Sequence, residues 1–380
     1  MKLPELIIDI KKFHAKTGVA YTPQTSVVSP LFPGQFNYCL DEVNVFEKYG
    51  NLVDIGEEHF QKIQPAIRLS DYESFYNKKF ANDEHLGTFS LSTVSGFHSF
   101  TADESEKYYR QSVKNMMGLL KFIGLDLKNI KVTYFSGNDA KSIEESRKHV
   151  LQIFERKIRI DFNIPEDPMK KIWEEEGLSE QQLEGNKTRD NFLTSAWFVT
   201  KAPWGYRNEI LYKLPRGQFL DIGTIERLTM YPTVETEKNE RGEELHYVTK
   251  IDFWNMGIVV DAVGIERILQ ALEGKNNIWD IRLFEPFRKL EIGIPGIERI
   301  RILHRIFTDC SKNNFHSRNR KKKVHWLMRD INHLSIDMIR EVLEINSKIY
   351  NSIFPDLTNG IEKVIDEVIS FRQSSNTFKE

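Results

Sequence analysis

Two short apolar segments each carry a single arginine, and that pair constrains the chain more than any other feature. The first reads Ile63-Gln64-Pro65-Ala66-Ile67-Arg68-Leu69-Ser70-Asp71 and is followed by His85-Leu86-Gly87-Thr88-Phe89. The second reads Ile258-Val259-Val260-Asp261-Ala262-Val263-Gly264-Ile265-Glu266-Arg267-Ile268-Leu269. A guanidinium drawn into apolar surroundings is costly unless an anion or acceptor meets it. Two such arginines, far apart in sequence, point to a site that clamps a polyphosphate from two sides.

The segments around them read as strands joined by hairpins. Residues 63–69 and 86–94 form two strand-like runs, with the polar stretch 77–84 as a loop between them. Residues 104–123 have helical spacing, and 130–135 alternate as a strand. The highly charged stretch 143–187 reads as an insertion of helices and loops. Residues 197–212 and 217–229 read as strands with a loop at Pro203-Trp204-Gly205. A charged tip at 235–244 precedes a strand over 253–261, which runs into a helix over 264–272. Beyond about residue 287 the periodicity is helical, over 299–307, 324–331, 335–350 and 360–371. There is no GxGxxG and no GxxxxGK[ST] run, so a Rossmann or P-loop fold has little support. The pattern predicts an α+β fold: an antiparallel sheet flanked by helices, followed by a helical domain, with limits at 1–285 and 286–380.

Bulk properties narrow the function classes. The 380 residues carry a net charge of −2, from 53 basic and 55 acidic side chains, which argues against a wholesale polyanion binder. Two cysteines, Cys39 and Cys310, with no CxxC motif give no disulfide framework or structural zinc site. The histidines show no ligand spacing. No apolar run approaches ~20 residues, so no membrane partner is expected and the default setting is cytoplasmic.

Residues 64–71 resemble motif 2 of class II aminoacyl-tRNA synthetases in the form seen in archaeal-type alanyl-tRNA synthetases, and 85–89 resemble the far side of the motif 2 loop. Residues 259–267 resemble motif 3. Asn208-Glu209-Ile210-Leu211-Tyr212 resembles the family's glutamate-bearing strand, and 219–224 fall where the family has its substrate-facing strand. Residues 300–327 resemble the helices after the alanyl catalytic core. The resemblance covers most of residues 5–335.

It implies a class II synthetase-like sheet of six or seven antiparallel strands that binds ATP with Mg²⁺. Arg68 would hold the α-phosphate and stabilise charge during attack, and Arg267 would hold the γ-phosphate. Phe89 would stack on adenine, His85 would lie near the triphosphate, and Glu266 would belong to the same nucleotide site. Glu209 would line the amino-acid pocket and hold the Mg²⁺, and Asp261 would pair with the substrate ammonium. Two departures stand out. Asp261 is one residue closer to the Gly-Ile-Glu-Arg run than the family's aspartate, and Trp204 and Tyr206 replace a small-residue loop and would reshape the amino-acid pocket. The chain ends about where the family's editing region begins, so editing and C-terminal oligomerisation domains are not expected in it.

Each residue also has a plainer reading. Arg68 could pair with Asp71 or Glu73, Phe89 and Trp204 could be core, and Asp261 could cap a helix. The second Gly-Ile-Glu-Arg run, at 296–299, reads as a helix start without chemistry. The basic stretch Arg318, Arg320, Lys321, Lys322 and Lys323 could contact a nucleic-acid backbone or form a solvated face. The expected function is that of an AMP-forming, ATP-dependent ligase, an alanyl-tRNA synthetase paralogue. It would make an aminoacyl-adenylate and pass the acyl group to a tRNA, a carrier protein or a small molecule. The alternatives are a stand-alone tRNA aminoacylating enzyme and a non-catalytic regulatory paralogue. The oligomeric state is left open.

Overall fold

The computed structural model describes residues 1–28, 58–69, 86–99, 102–137, 151–153, 156–160, 164–187, 191–193, 204–238, 240–242, 244–310 and 318–377. His85 and the loop expected at 77–84 lie outside them.

Six antiparallel strands form the centre, in the spatial order β2 (Glu58–Ile67), β3 (Thr88–Ser99), β11 (Glu244–Gly264), β10 (Phe219–Lys238), β9 (Trp204–Lys213) and β4 (Ile130–Phe135). Two short strands extend this path in parallel, β1 (Ala20–Tyr21) on β2 and β7 (Leu183–Asn186) on β4. Three more pair at its flanks: β5 (Leu151–Ile153) on β6 (Arg156–Ile160), β6 on β11, and β8 (Phe192–Leu193) on β9. The sheet therefore has eleven strands among the described residues, not six or seven. Three of them lie inside the charged insertion, which had read as helices and loops. The reason is visible in β6, where Ile158 and Ile160 alternate with Lys157 and Arg159, a two-residue period that charge alone obscures.

The helices are α1 (Leu3–Ala15), α2 (Ala102–Phe122), α3 (Lys170–Glu175), α4 (Ile265–Leu272), α5 (Ile294–Asp309), α6 (Arg318–Asp330), α7 (Ile336–Tyr350) and α8 (Ile361–Thr377). Helix α2 packs on β11 and β10. Helix α5 is buried without interruption from Ile297 to Phe307 and packs against α7, α8, α6 and β3. One hydrophobic cluster runs from Leu3 to Val368, so the sheet and the helices after residue 285 share a core.

The sheet has two unlike faces. Asn208, Ile210, Ile225 and Arg227 are buried, whereas their chain neighbours Arg207, Glu209, Thr224 and Glu226 are only half-buried. Register partners share a face and side chains alternate along a strand. Following the pairs Ala66–Phe89, Thr93–Ala262, Ala262–Thr224, Thr224–Glu209 and Glu209–Thr133 across the sheet puts all of these on one side, the open face, which is half-buried at Phe89, Thr224 and Glu209 and buried at Ala66, Thr93, Ala262 and Thr133. The opposite face carries Val259, Asp261, Ile225 and Asn208 and is covered by helices.

Candidate active site on the open sheet face

The β2–β3 hairpin continues one rung past β2. The Arg68 N–H donates to the Gly87 carbonyl at 2.9 Å, which sets Arg68 on the face it shares with Ala66 and Phe89. Arg68 and Phe89 are both half-buried. Helix α5 comes close at Gly87, where a Cβ would lie 2.6 Å from Ile302 Cδ1, the movable end of that side chain.

Strand β11 ends at Gly264 and turns directly into α4, whose third residue is Arg267. Its Nη1 donates to the Asp221 carbonyl at 2.9 Å and to the Asp221 carboxylate at 2.5 Å. A bulge brings Asp221 there. Asp221 pairs with Leu211 and Gly223 with Ile210, so β10 has one extra residue, which turns Asp221 toward the face of Glu209 and Leu211. Gly223 makes the close approach possible, since a Cβ would meet the Ala262 carbonyl oxygen at 2.6 Å.

Next to this rim lies a charged cluster. Arg207 stands between two carboxylates, with Nη2 at 3.6 Å from Glu209 and Nε at 3.5 Å from Glu226. Arg207 Nε also donates to Thr224 Oγ1 at 3.2 Å. Arg207, Glu226 and Asp221 were not picked out from the sequence as site residues. The i, i+2 spacing of Arg207 and Glu209 was visible, but Glu226 and Asp221 join them only through cross-strand register and a bulge.

Glu266 is placed differently from the expected nucleotide contact. Its carboxylate is sealed behind β3, accepting from the Ser90 amide at 2.9 Å, the Ser90 hydroxyl at 2.9 Å and the Tyr350 hydroxyl at 2.8 Å. Burial raises its pKa. It braces the hairpin from the rear.

Asp261, expected to meet the substrate ammonium, stands apart from Glu209. It pairs with Ile225 and Val94 and lies on the helix-covered face, 6 % exposed, opposite to Glu209 and Phe89. Its neighbour there is Ser112 of α2, and burial raises its carboxyl pKa to about 7. The physical cause is the side-chain period of two in a strand, which puts Asp261 opposite to Ala262 and so opposite to Thr224 and Glu209.

Trp204 and Tyr206, also expected at the amino-acid pocket, share the side of Asn208. Both lie on the buried side of β9, where Phe192 meets the Trp204 ring at 6.3 Å and the Tyr206 ring at 5.8 Å, both edge-on. The Tyr206 hydroxyl donates to the Pro165 carbonyl at 3.1 Å. Gly205 between them is in the strand, not in a loop, and a Cβ there would lie 1.8 Å from the Arg227 carbonyl oxygen. On this side Asn208 binds Asp167 at 2.9 Å and Trp173 at 3.0 Å, with Tyr109 also in contact. Asp167 is pushed up to about 6 by burial.

The basic stretch divides by helical periodicity. Arg320 falls on the buried stripe of α6 with Val324, Leu327 and Ile331, and burial lowers its pKa. It is not available to an outside phosphate. Lys321 and Lys322 are exposed, and Lys323 is half-buried. For a metal, no group of three His, Cys, Asp or Glu side chains converges among the described residues. A cavity of about 430 Å³ lined by Arg282, Glu285, Lys289 and Glu341 shares no residue with the sheet face.

No helix among the described residues is long and apolar enough to cross a membrane. No family model and no curated protein sequence matches the chain. Among solved structures it is similar to the apo histidyl-tRNA synthetase of S. aureus, at 12% identity over 73% of this chain and 67% of that one, with a TM-score of 0.39. A pyrrolysyl-tRNA synthetase from Desulfitobacterium hafniense gives 10% identity over 73% and 71%, with a TM-score of 0.32. The RNA-binding domain of threonyl-tRNA synthetase from Cryptosporidium parvum Iowa II gives 9% identity over 71% and 65%, with a TM-score of 0.37. These values are too low to carry an activity, a substrate or a site residue over to this chain.

Proposed function

We infer that the chain activates an amino acid with ATP on the open face of its sheet, forming an aminoacyl-adenylate and pyrophosphate, and then transfers the acyl group to an acceptor. One observation carries this reading. The hairpin with Arg68 and Phe89 and the strand–helix turn with Arg267 are successive neighbours in one sheet, and they border a single open face. Attack of a carboxylate on the α-phosphate needs positioning and neutralised charge, and no nucleophile from the protein. Arg68 at the hairpin mouth neutralises the α-phosphate, Phe89 carries the adenine ring, and Arg267 takes the far phosphates after leaving Asp221.

With Asp261 on the other face, the substrate ammonium falls to Glu209, beside Arg207 and Glu226. The protein would thus be a paralogue of the alanyl-type core with a different amino-group ligand. Mg²⁺ suits this site as a companion of the nucleotide, since it binds through phosphates and one or two carboxylates and keeps several waters. Glu226, the other carboxylate of the cluster, would hold it, and its chemistry would be to offset phosphate charge. Lys321 and Lys322 on the outward side of α6 favour an acceptor that carries phosphates, such as a tRNA.

Amino-acid-dependent exchange of pyrophosphate into ATP tests the reading. Exchange with one amino acid is expected, and Arg68→Ala and Arg267→Ala should each abolish it. A protein that binds ATP but exchanges with none of the amino acids refutes the activation step.

A further inference from the structure

The strand that presents Phe89 is held from behind by two carboxylates from two different helices. On its first residue, the Thr88 N–H donates to Glu298 Oε1 at 2.8 Å, and the Thr88 carbonyl accepts from Arg301 Nη2 at 3.3 Å. Two residues on, the Ser90 N–H donates to the Glu266 carboxylate at 2.9 Å. Phe89 lies between these anchors with its side chain on the opposite, open face. The anchors are joined to each other. Arg301 Nη1 meets Glu298 Oε2 at 2.5 Å, Arg301 Nη2 donates to the Tyr350 hydroxyl at 3.0 Å, and that hydroxyl donates to Glu266 Oε1 at 2.8 Å.

This chain of bonds is buried throughout and closes a loop from α5 through α7 and α4 back to β3. Aromatic faces of Phe284 and Trp279 enclose the Arg301 guanidinium at 4.9 and 5.6 Å, which excludes water and strengthens each bond. Helix α5 also comes close to the hairpin mouth, where Ile302 Cδ1 would lie 2.6 Å from a Cβ on Gly87. The second Gly-Ile-Glu-Arg run, which read as a helix start without chemistry, supplies Glu298.

We propose that Glu298, Arg301 and Tyr350 are positioning residues for the nucleotide, through which the helices after residue 294 set the height and tilt of the Phe89 platform. This rests on Phe89 being the adenine platform. The bonds grip the backbone on both sides of one residue, whose half-buried ring packs with one part against the core and keeps the rest exposed. A structural brace alone would grip the strand anywhere along its length. The consequence is that nucleotide affinity is controlled from a helical layer that touches no nucleotide.

The test uses the full chain and two mild variants. Tyr350→Phe removes one hydroxyl from the relay, and Glu298→Gln keeps an acceptor for the Thr88 amide where Glu298→Ala does not. ATP binding by calorimetry should weaken about 3- to 10-fold in Tyr350→Phe, the size of one lost hydrogen bond, with amino-acid binding unchanged. Glu298→Ala should weaken it further and Glu298→Gln should restore part. Hydrogen exchange of the peptide over residues 86–94 should quicken in Tyr350→Phe without a change in urea midpoint of the same size. Wild-type ATP affinity and wild-type exchange in folded Tyr350→Phe overturn the relay. A wild-type protein that binds no ATP removes the nucleotide reading instead. The exchange rates then decide the relay by themselves, and unchanged rates overturn it.

Discussion

Replacing Asp261 by Asn separates the two faces of the sheet in one experiment. The Asp261 carboxyl is buried beneath α2, and burial moves its pKa from 3.8 to about 7. At about 1.4 kcal/mol per pH unit, holding it there disfavours the folded state by about 4 kcal/mol at neutral pH relative to acid. The direction follows from the raised value. The folded protein binds this proton more tightly than the unfolded chain, so the stabilisation is complete below pH 3.8 and is lost as pH rises through 7. Asp167, raised to about 6, adds a similar but earlier fall. Asn mimics the protonated acid and does not titrate. Urea unfolding from pH 4 to 8 should therefore show a steep loss of stability in the wild type. In Asp261→Asn the part between pH 6 and 7 should disappear. The absolute gain is partly offset by the amide N–H groups, which find few acceptors there and cost ~1–3 kcal/mol if unmatched. The slope is the cleaner readout. Pyrophosphate exchange should stay within about twofold, because the residue faces away from the substrate. A slope identical to the wild type between pH 6 and 8 would refute the burial argument. Loss of all exchange in a folded variant would return Asp261 to the pocket.

Three further outcomes follow from the geometry. Gly205→Ala puts a Cβ 1.8 Å from the Arg227 carbonyl oxygen, so the β9–β10 ladder must part; a fall of at least ~1–3 kcal/mol in urea stability is expected, and an unchanged midpoint contradicts it. Arg301→Met leaves Glu298 buried without its cation and should lose ~3–5 kcal/mol, read by thermal or urea unfolding; a neutral result means the network does not hold β3. Asp221→Asn breaks a half-exposed pair worth less than about 1 kcal/mol of stability, yet frees Arg267 for phosphate. ATP binding by calorimetry should tighten, and weaker binding would show that Asp221 aims the arginine and does not compete for it.

Much of the architecture was legible in the residues, and the reasons for the exceptions are local. The hairpin around Arg68 and the strand–helix turn at Arg267 follow from apolar runs with turn signals, and β4 spans the residues that alternation assigns to it. The helices after residue 294 follow from their periodicity. What escaped was facing. Asp261 alternates with Ala262, and in a strand one residue decides which face a side chain takes. Trp204 and Tyr206 share the parity of Asn208, not of Glu209, so they were bound to the buried side once β9 began at residue 204. Arg320 looked like part of a basic run, although its spacing to Val324, Leu327 and Ile331 already marks a buried stripe. Glu226 and Asp221 could not be found from one strand, because register and a bulge bring them to Arg207 and Arg267. Glu298 reaches Thr88 only through the packing of α5 on β3, which no local pattern reports.

The central claim is that the chemistry occupies the open face, with Glu209 as the ligand of the substrate amino group. Pyrophosphate exchange by Glu209→Gln measures this most directly. The half-buried carboxylate contributes little to folding, so the variant should unfold at nearly the wild-type urea concentration. Its exchange should fall by at least about 100-fold, as when a charged ligand of the reacting substrate is neutralised. Wild-type exchange in Glu209→Gln would contradict the account.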